Sequence, residues 1–116
     1  MTIEELALLN VERTEDTLVV TIEGELDSSN AERVGQRIIA SLSDVRTCVV
    51  DLSLLTYLDS AALTMLHRLA QLPATLHLVT PPGSRATRLI EIGGLDTVLS
   101  THDTLAAALQ GWRGEG

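Results

Sequence analysis

Lysine and phenylalanine are absent from this sequence, and cysteine, tyrosine and tryptophan occur once each in 116 residues. Without lysine there is no ammonium group to reach a nucleotide phosphate; all eight basic residues are arginine. The lone Cys48 closes no internal disulfide and has no second thiolate with which to hold a metal. Aromatic residues make up 2% of the chain against 45% hydrophobic residues overall, so the core is built from Leu, Val, Ile and Ala. Long apolar runs are missing too, and none approaches the roughly 20 residues that span a bilayer. Met1 is followed by the acidic Thr2-Ile3-Glu4-Glu5 instead of a basic and then an apolar segment. No secretory signal is therefore expected, and the expected compartment is cytoplasmic.

Positive charge is scarce enough to leave a net charge of −8. An acidic surface repels phosphate backbones and anionic lipid, which argues against direct nucleic-acid binding and against membrane insertion. A protein partner with a basic or apolar docking face suits it better. The motifs of small-molecule chemistry are missing as well. Gly83, Gly93 and Gly94 make neither GxGxxG nor GxxxxGK[ST], and they read as turn and cap residues. His67, His77 and His102 are far apart in sequence and show no ligand spacing, so no metal is expected. Ser60 is not in a G-x-S-x-G elbow. Neither an enzyme nor a cofactor is expected.

What is present is an alternation of strand and helix patterns. Residues 6–13 and 17–24 read as two strands joined by a turn at Glu15-Asp16, and Leu18, Val20 and Ile22 alternate with polar neighbours. Ser29 and Glu32 have capping-box spacing before a helix with Val34, Ile38, Ile39 and Leu42 on one stripe. Arg46 to Ser53 is a β-branched run suited to a strand buried on both faces. A helix follows from Ser60 to Leu72, with Leu63, Leu66, Leu69 and Ala70 on one side, and Pro73 stops it. Either Asp59 or Ser60 can serve as its N-cap. Thr75 to Thr80 is a strand, Ser84 caps a helix through Ile92, Val98-Leu99 is a short strand, and Asp103 caps a last helix. The order ββαβαβαβα predicts one α/β domain over residues 1–110. Its sheet is mixed but mostly parallel, with about five strands and about four helices, and residues 111–116 form a short flexible tail.

One stretch carries more than architecture. Residues 48–69, "CVVDLSLLTYLDSAALTMLHRL", place an apolar strand ending in D-L-S before an Asp-Ser that opens a helix. Upstream stands "VVTIEGELDSSNAERV", and downstream "PPGSRATRLIEIGGLDTVLSTHDTLAAAL". Together these resemble the STAS-domain anti-sigma factor antagonist family from about Leu8 to Leu109. The resemblance implies a STAS-type fold and a binding module with no catalysis of its own. Its partner would be a serine-kinase anti-sigma factor, which phosphorylates Ser60 and is thereby released, so that sigma-factor-dependent transcription is regulated. It also implies a partner-binding surface of Asp27, Asp59, Ser60, Ala61, Ala62 and Leu63. The family has Ser/Thr-Gly where this chain has Ala61-Ala62, and the methyl of Ala62 is expected to stand in the way of a kinase backbone. The alternative on the same fold is a STAS docking subunit of a transporter or a multiprotein signalling assembly that is never phosphorylated.

Overall fold

In the computed structural model, which describes the backbone of residues 2–4 and 6–113 and the side chains of 6–110, six strands form a single sheet. Strands β1 (Thr2–Glu4), β2 (Ala7–Thr14) and β3 (Thr17–Leu26) run antiparallel, and β4 (Thr47–Leu58), β5 (Thr75–Val79) and β6 (Ser100–His102) continue parallel to β3. Helices α1 (Ala31–Ala40), α2 (Ser60–Ala70), α3 (Arg85–Ile92) and α4 (Leu105–Arg113) fill the crossovers and close the chain. The expected α/β order holds, with the short β1 added at one edge. Helix α4 runs to Arg113, so the first residues of the expected 111–116 tail are helical, and the rest lie outside the described residues. No helix among the described residues is long and apolar enough to cross a membrane.

Period-two alternation of side chains divides the core. Cys48, Val50 and Leu52 of β4 join Leu18, Val20 and Ile22 of β3 and the apolar stripes of α1, α2 and α3 in the larger cluster. Val49 points the other way and packs with Val79 and with Ala108 of α4. Helix α1 contributes Val34 and Ile38 to the core, while Ile39 is 39% exposed. Gly35 lies so close to Met65 of α2 that a Cβ there would meet the Met65 side chain, which sets how near the two helices approach.

Two elements depart from the sequence pattern. Strand β4 does not stop at Ser53 but runs on to Leu58, with two register shifts against β3, between Thr21 and Glu23 and between Gly24 and Glu25. Bulges of this kind break alternation while keeping the ladder, so residues 54–58 do not read as a strand. The last strand is Ser100–His102, not Val98-Leu99; Leu95–Thr97 form a 3-10 turn after left-handed Gly94, and this turn moves the strand downstream.

Gly24 is the tightest point in the hairpin. Its φ is +102°, and a Cβ on it would collide with the Leu6 carbonyl oxygen. That carbonyl accepts the Glu25 N–H at 3.1 Å. Gly83 is also left-handed, at φ +75°, but a Cβ on it would meet nothing. Gly24→Ala is therefore expected to lose at least about 2 kcal/mol through strain and collision, and Gly83→Ala about 1 kcal/mol through strain alone. Parallel urea unfolding of the two variants measures the difference.

Candidate functional site

The candidate site lies where the parallel strands deliver their carboxyl ends. Leu26 of β3 and Leu58 of β4 are register partners, so Asp27 and Asp59 follow from the two adjacent central strands at one end of the sheet. Strand β5 ends at Val79, opposite Asp51, so the last half of β4 projects beyond it. This extension carries the start of α2 out beside the Asp27 loop.

At the start of α2, Asp59 is the cap. Its backbone is extended (φ −129°, ψ −168°), and its Oδ1 accepts the Ala61 N–H at 2.9 Å and the Ala62 N–H at 3.4 Å. The Asp59 carbonyl accepts the Leu63 N–H at 3.2 Å. Ser60 is thus the first helical residue, exposed, and its hydroxyl has no hydrogen-bond partner among the described residues. Thr64 one turn on donates its hydroxyl to the Ser60 carbonyl at 3.0 Å. Ala62 is 0% exposed: its methyl faces the core, so it is not a contact side chain and does not stand in the way of an approaching backbone. Ala61 and Leu63 are half-buried, and Leu58 is buried.

The Asp27 loop is held by its own polar atoms. Asp27 Oδ1 accepts both the Ser29 hydroxyl, at 2.5 Å, and the Ser29 N–H, at 2.8 Å. These two bonds, the hydroxyl first, hold its pKa below the ordinary 3.8. Asn30, 1% exposed, locks the loop from inside by accepting the Asp27 N–H at 3.0 Å and donating to the Glu25 carbonyl at 2.9 Å. Asn30, not Ser29, is also the N-cap position of α1, and it makes no side-chain cap bond there. The Ser29–Glu32 capping box is not formed, because α1 begins at Ala31 and Ser29 stands one residue ahead of the cap position, donating its hydroxyl to Asp27. The role of Asn30 leaves no signal in the sequence, since its bonds reach backward into the loop and give no capping spacing. Asp103 is displaced in the same way at α4, where Thr104 Oγ1 accepts the Ala107 N–H at 3.1 Å.

Two shallow grooves flank the junction. One, of about 340 Å³, runs between α1 and α2 and joins Ser28 of the Asp27 loop to Ala61, Thr64 and Arg68. The other, of about 490 Å³, lies between α2 and the Gly93-Gly94 turn, with Leu63, His67 and Val98 on its walls. On the far side Tyr57 is partly exposed, with the Arg85 guanidinium 5.8 Å from its ring centroid. Away from the site, His77 Nδ1 and His102 Nε2 approach to 3.0 Å across β5 and β6, a pairing hidden by their separation in sequence. His67 is exposed on α2. Burial pushes the Cys48 thiol up to about 12. Among the described residues no three His, Cys, Asp or Glu side chains gather into a metal cluster.

These features define a small α/β domain that offers an open surface, not an enclosed cavity, at the carboxyl ends of its parallel strands. A family model described as "Mlab, STAS domain" matches residues 9–111, and the chain belongs to the STAS domain family. It is similar to a solved anti-sigma factor antagonist from Mycobacterium paratuberculosis, at 29% identity over 92% of this chain and 94% of that one, with a TM-score of 0.83. It is also similar to RsbS of Moorella thermoacetica, solved as a serine-to-glutamate variant, at 26% identity over 91% and 95%, TM-score 0.71. The fold is shared with the anti-sigma factor antagonist SpoIIAA in its unphosphorylated form, at 24% identity over 92% and 99%, TM-score 0.69. No curated protein matches the chain by sequence.

Asp59→Ala is expected to lose about 0.5–2 kcal/mol by uncapping α2. Ser60→Ala is expected to change stability by less than about 0.5 kcal/mol, since its hydroxyl has no hydrogen-bond partner among the described residues. Thermal unfolding of both variants checks the contrast. The Asp27 bonds carry a pH signature. A depressed folded pKa stabilises the loop fully above the unfolded value of 3.8 and stops doing so as pH falls through the lower folded value. The Ser29 amide resonance is expected to titrate below pH 3.8 and to lose that transition in Asp27→Asn.

Proposed function

We propose that this STAS domain is an anti-sigma factor antagonist: it binds a serine-kinase anti-sigma factor and is switched off by phosphorylation of Ser60. The observation that carries this reading is the exposed Ser60 hydroxyl, left without a partner because Asp59 has taken the capping role. The similarity to solved anti-sigma factor antagonists supports the partner class. In the modification, Ser60 Oγ attacks the γ-phosphorus of ATP. The bond from that phosphorus to the β,γ-bridging oxygen breaks to release ADP, and the hydroxyl proton leaves to a base of the kinase or to water. The domain supplies the nucleophile and its setting, and catalysis belongs to the partner.

The docking surface on this reading comprises the Asp27 loop, Asp59, Ser60, Ala61 and Leu63. Asp27 and Asp59 offer negative charge to a basic face. Leu63, half-buried on the wall of the groove, offers apolar contact. Phosphate adds about −1.5 to −2 charge. Inside a docked interface that charge meets desolvation and the neighbouring Asp59 carboxylate, and release of the partner follows.

The experiment is to incubate the domain with its cognate anti-sigma kinase and ATP, locate the phosphate by mass spectrometry and measure binding of Ser60→Glu. Phosphate on Ser60 and a roughly 100-fold loss of affinity, about 2.7 kcal/mol, are expected. No phosphate on Ser60, together with unchanged binding by Ser60→Glu, would remove the switch. Capture of a transporter complex in place of a kinase would instead establish the constitutive docking role.

A further inference from the structure

We propose that Asp59 keeps a phosphate on Ser60 away from the N-terminus of α2, so that the modified side chain projects into solvent as a dianion and does not fold back as a helix cap. This rests on the reading of Ser60 as a phosphorylation site. A phosphoserine in the first turn of a helix ordinarily finds free N–H groups and a favourable dipole, and it can bury its charge in them. Here the Ala61, Ala62 and Leu63 donors are taken, and of the first turn only the Ser60 N–H is left without a partner among the described residues. The N–H groups of Ala61 and Ala62 point to Asp59 Oδ1, and the Leu63 N–H bonds the Asp59 carbonyl.

The molecule contains its own contrast. Ser84 also stands at a helix start, but it is itself the cap of α3. Its Oγ accepts the Thr87 N–H at 3.1 Å and lies 2.9 Å from Thr87 Oγ1, which in turn donates to the Pro81 carbonyl at 2.7 Å. Ser84 is half-buried and bonded, whereas Ser60 is exposed and its hydroxyl has no hydrogen-bond partner among the described residues. The difference is one residue of offset. At α2 the carboxylate precedes the serine, takes the amides and leaves the hydroxyl outside the capping network. A phosphate added there faces both a shortage of donors, with the Ser60 N–H alone unengaged in the first turn among the described residues, and a like charge on the adjoining residue. Asp59 is on this account a positioning residue for the switch: it converts phosphorylation into a charge the partner must meet.

The test places phosphoserine at residue 60 during translation, so that no kinase is involved, and follows the second ionisation of the phosphate by phosphorus NMR. Three backgrounds are compared: the parent chain, Asp59→Asn, which retains a capping oxygen without charge, and Asp59→Ala, which frees the amides. In the parent the phosphate is expected to titrate at or above about 6, the ordinary value for such a group. It should fall in Asp59→Asn as the like charge is lost, and further in Asp59→Ala, by about half a unit or more in total, as the amides become available. The Ala61 and Ala62 amide resonances should follow the phosphate titration only in Asp59→Ala. A parent value well below about 6 that is the same in all three backgrounds, with Ala61 and Ala62 amides tracking it in the parent, would overturn the proposal. Failure of the kinase to modify Ser60 would leave this titration unaffected, so the two readings fail separately.

Discussion

Two hydrogen bonds to a single oxygen organise the working end of this domain. Asp59 Oδ1 holds the Ala61 and Ala62 amides, fixes where α2 begins and thereby decides what Ser60 is free to do. The cap would have little consequence if β4 ended where its apolar run ends. Because β4 continues to Leu58 and stays in register with Leu26, the capped helix start emerges alongside the Asp27 loop, which Asn30 ties down from inside. Strand length, cap and loop are three separate pieces of local chemistry that converge on one surface.

The interior makes this arrangement affordable. An aliphatic core on both faces of β4 fixes the sheet, and the site hangs from the carboxyl ends of its strands on short junctions. None of the packing depends on the Ser60 side chain. A charge added there is therefore felt outside the domain, by whatever docks, more than within it. The strongly acidic chain sharpens that effect, because any partner that fits must supply basic or apolar surface, and an additional anion falls on the part of the surface where two carboxylates already stand.

Much of the fold was legible because the local signals agree with the tertiary ones. Strand β3 alternates as a half-buried strand does, Ser84 caps α3 as its position suggested, and Pro73 lies just past the end of α2. The misreadings have a common cause, which is competition for polar atoms and register that spacing alone cannot resolve. Ser29 has capping spacing, but α1 starts one residue later with Asn30 at the cap position while Ser29 donates to Asp27, and Asp103 likewise gives way to Thr104. The register shifts between Thr21 and Glu23 and between Gly24 and Glu25 erase the alternation that would have marked the far half of β4. At the site itself, the sequence left Asp59 and Ser60 as equal candidates for one cap. Only the geometry separates them. The core-facing direction of Ala62 was equally out of reach, since it depends on the helical phase that the Asp59 cap sets.

The surface proposed to receive a partner is the paired carboxyl ends of β3 and β4. Amide hydrogen exchange of the domain, free and bound to the anti-sigma factor proposed as its partner, is the sharpest test. Added protection is expected across residues 27–30 and 59–64, with α4 and the β6 edge unchanged. Protection confined to α4, with the Asp27 loop and the start of α2 exchanging as in the free protein, would contradict it.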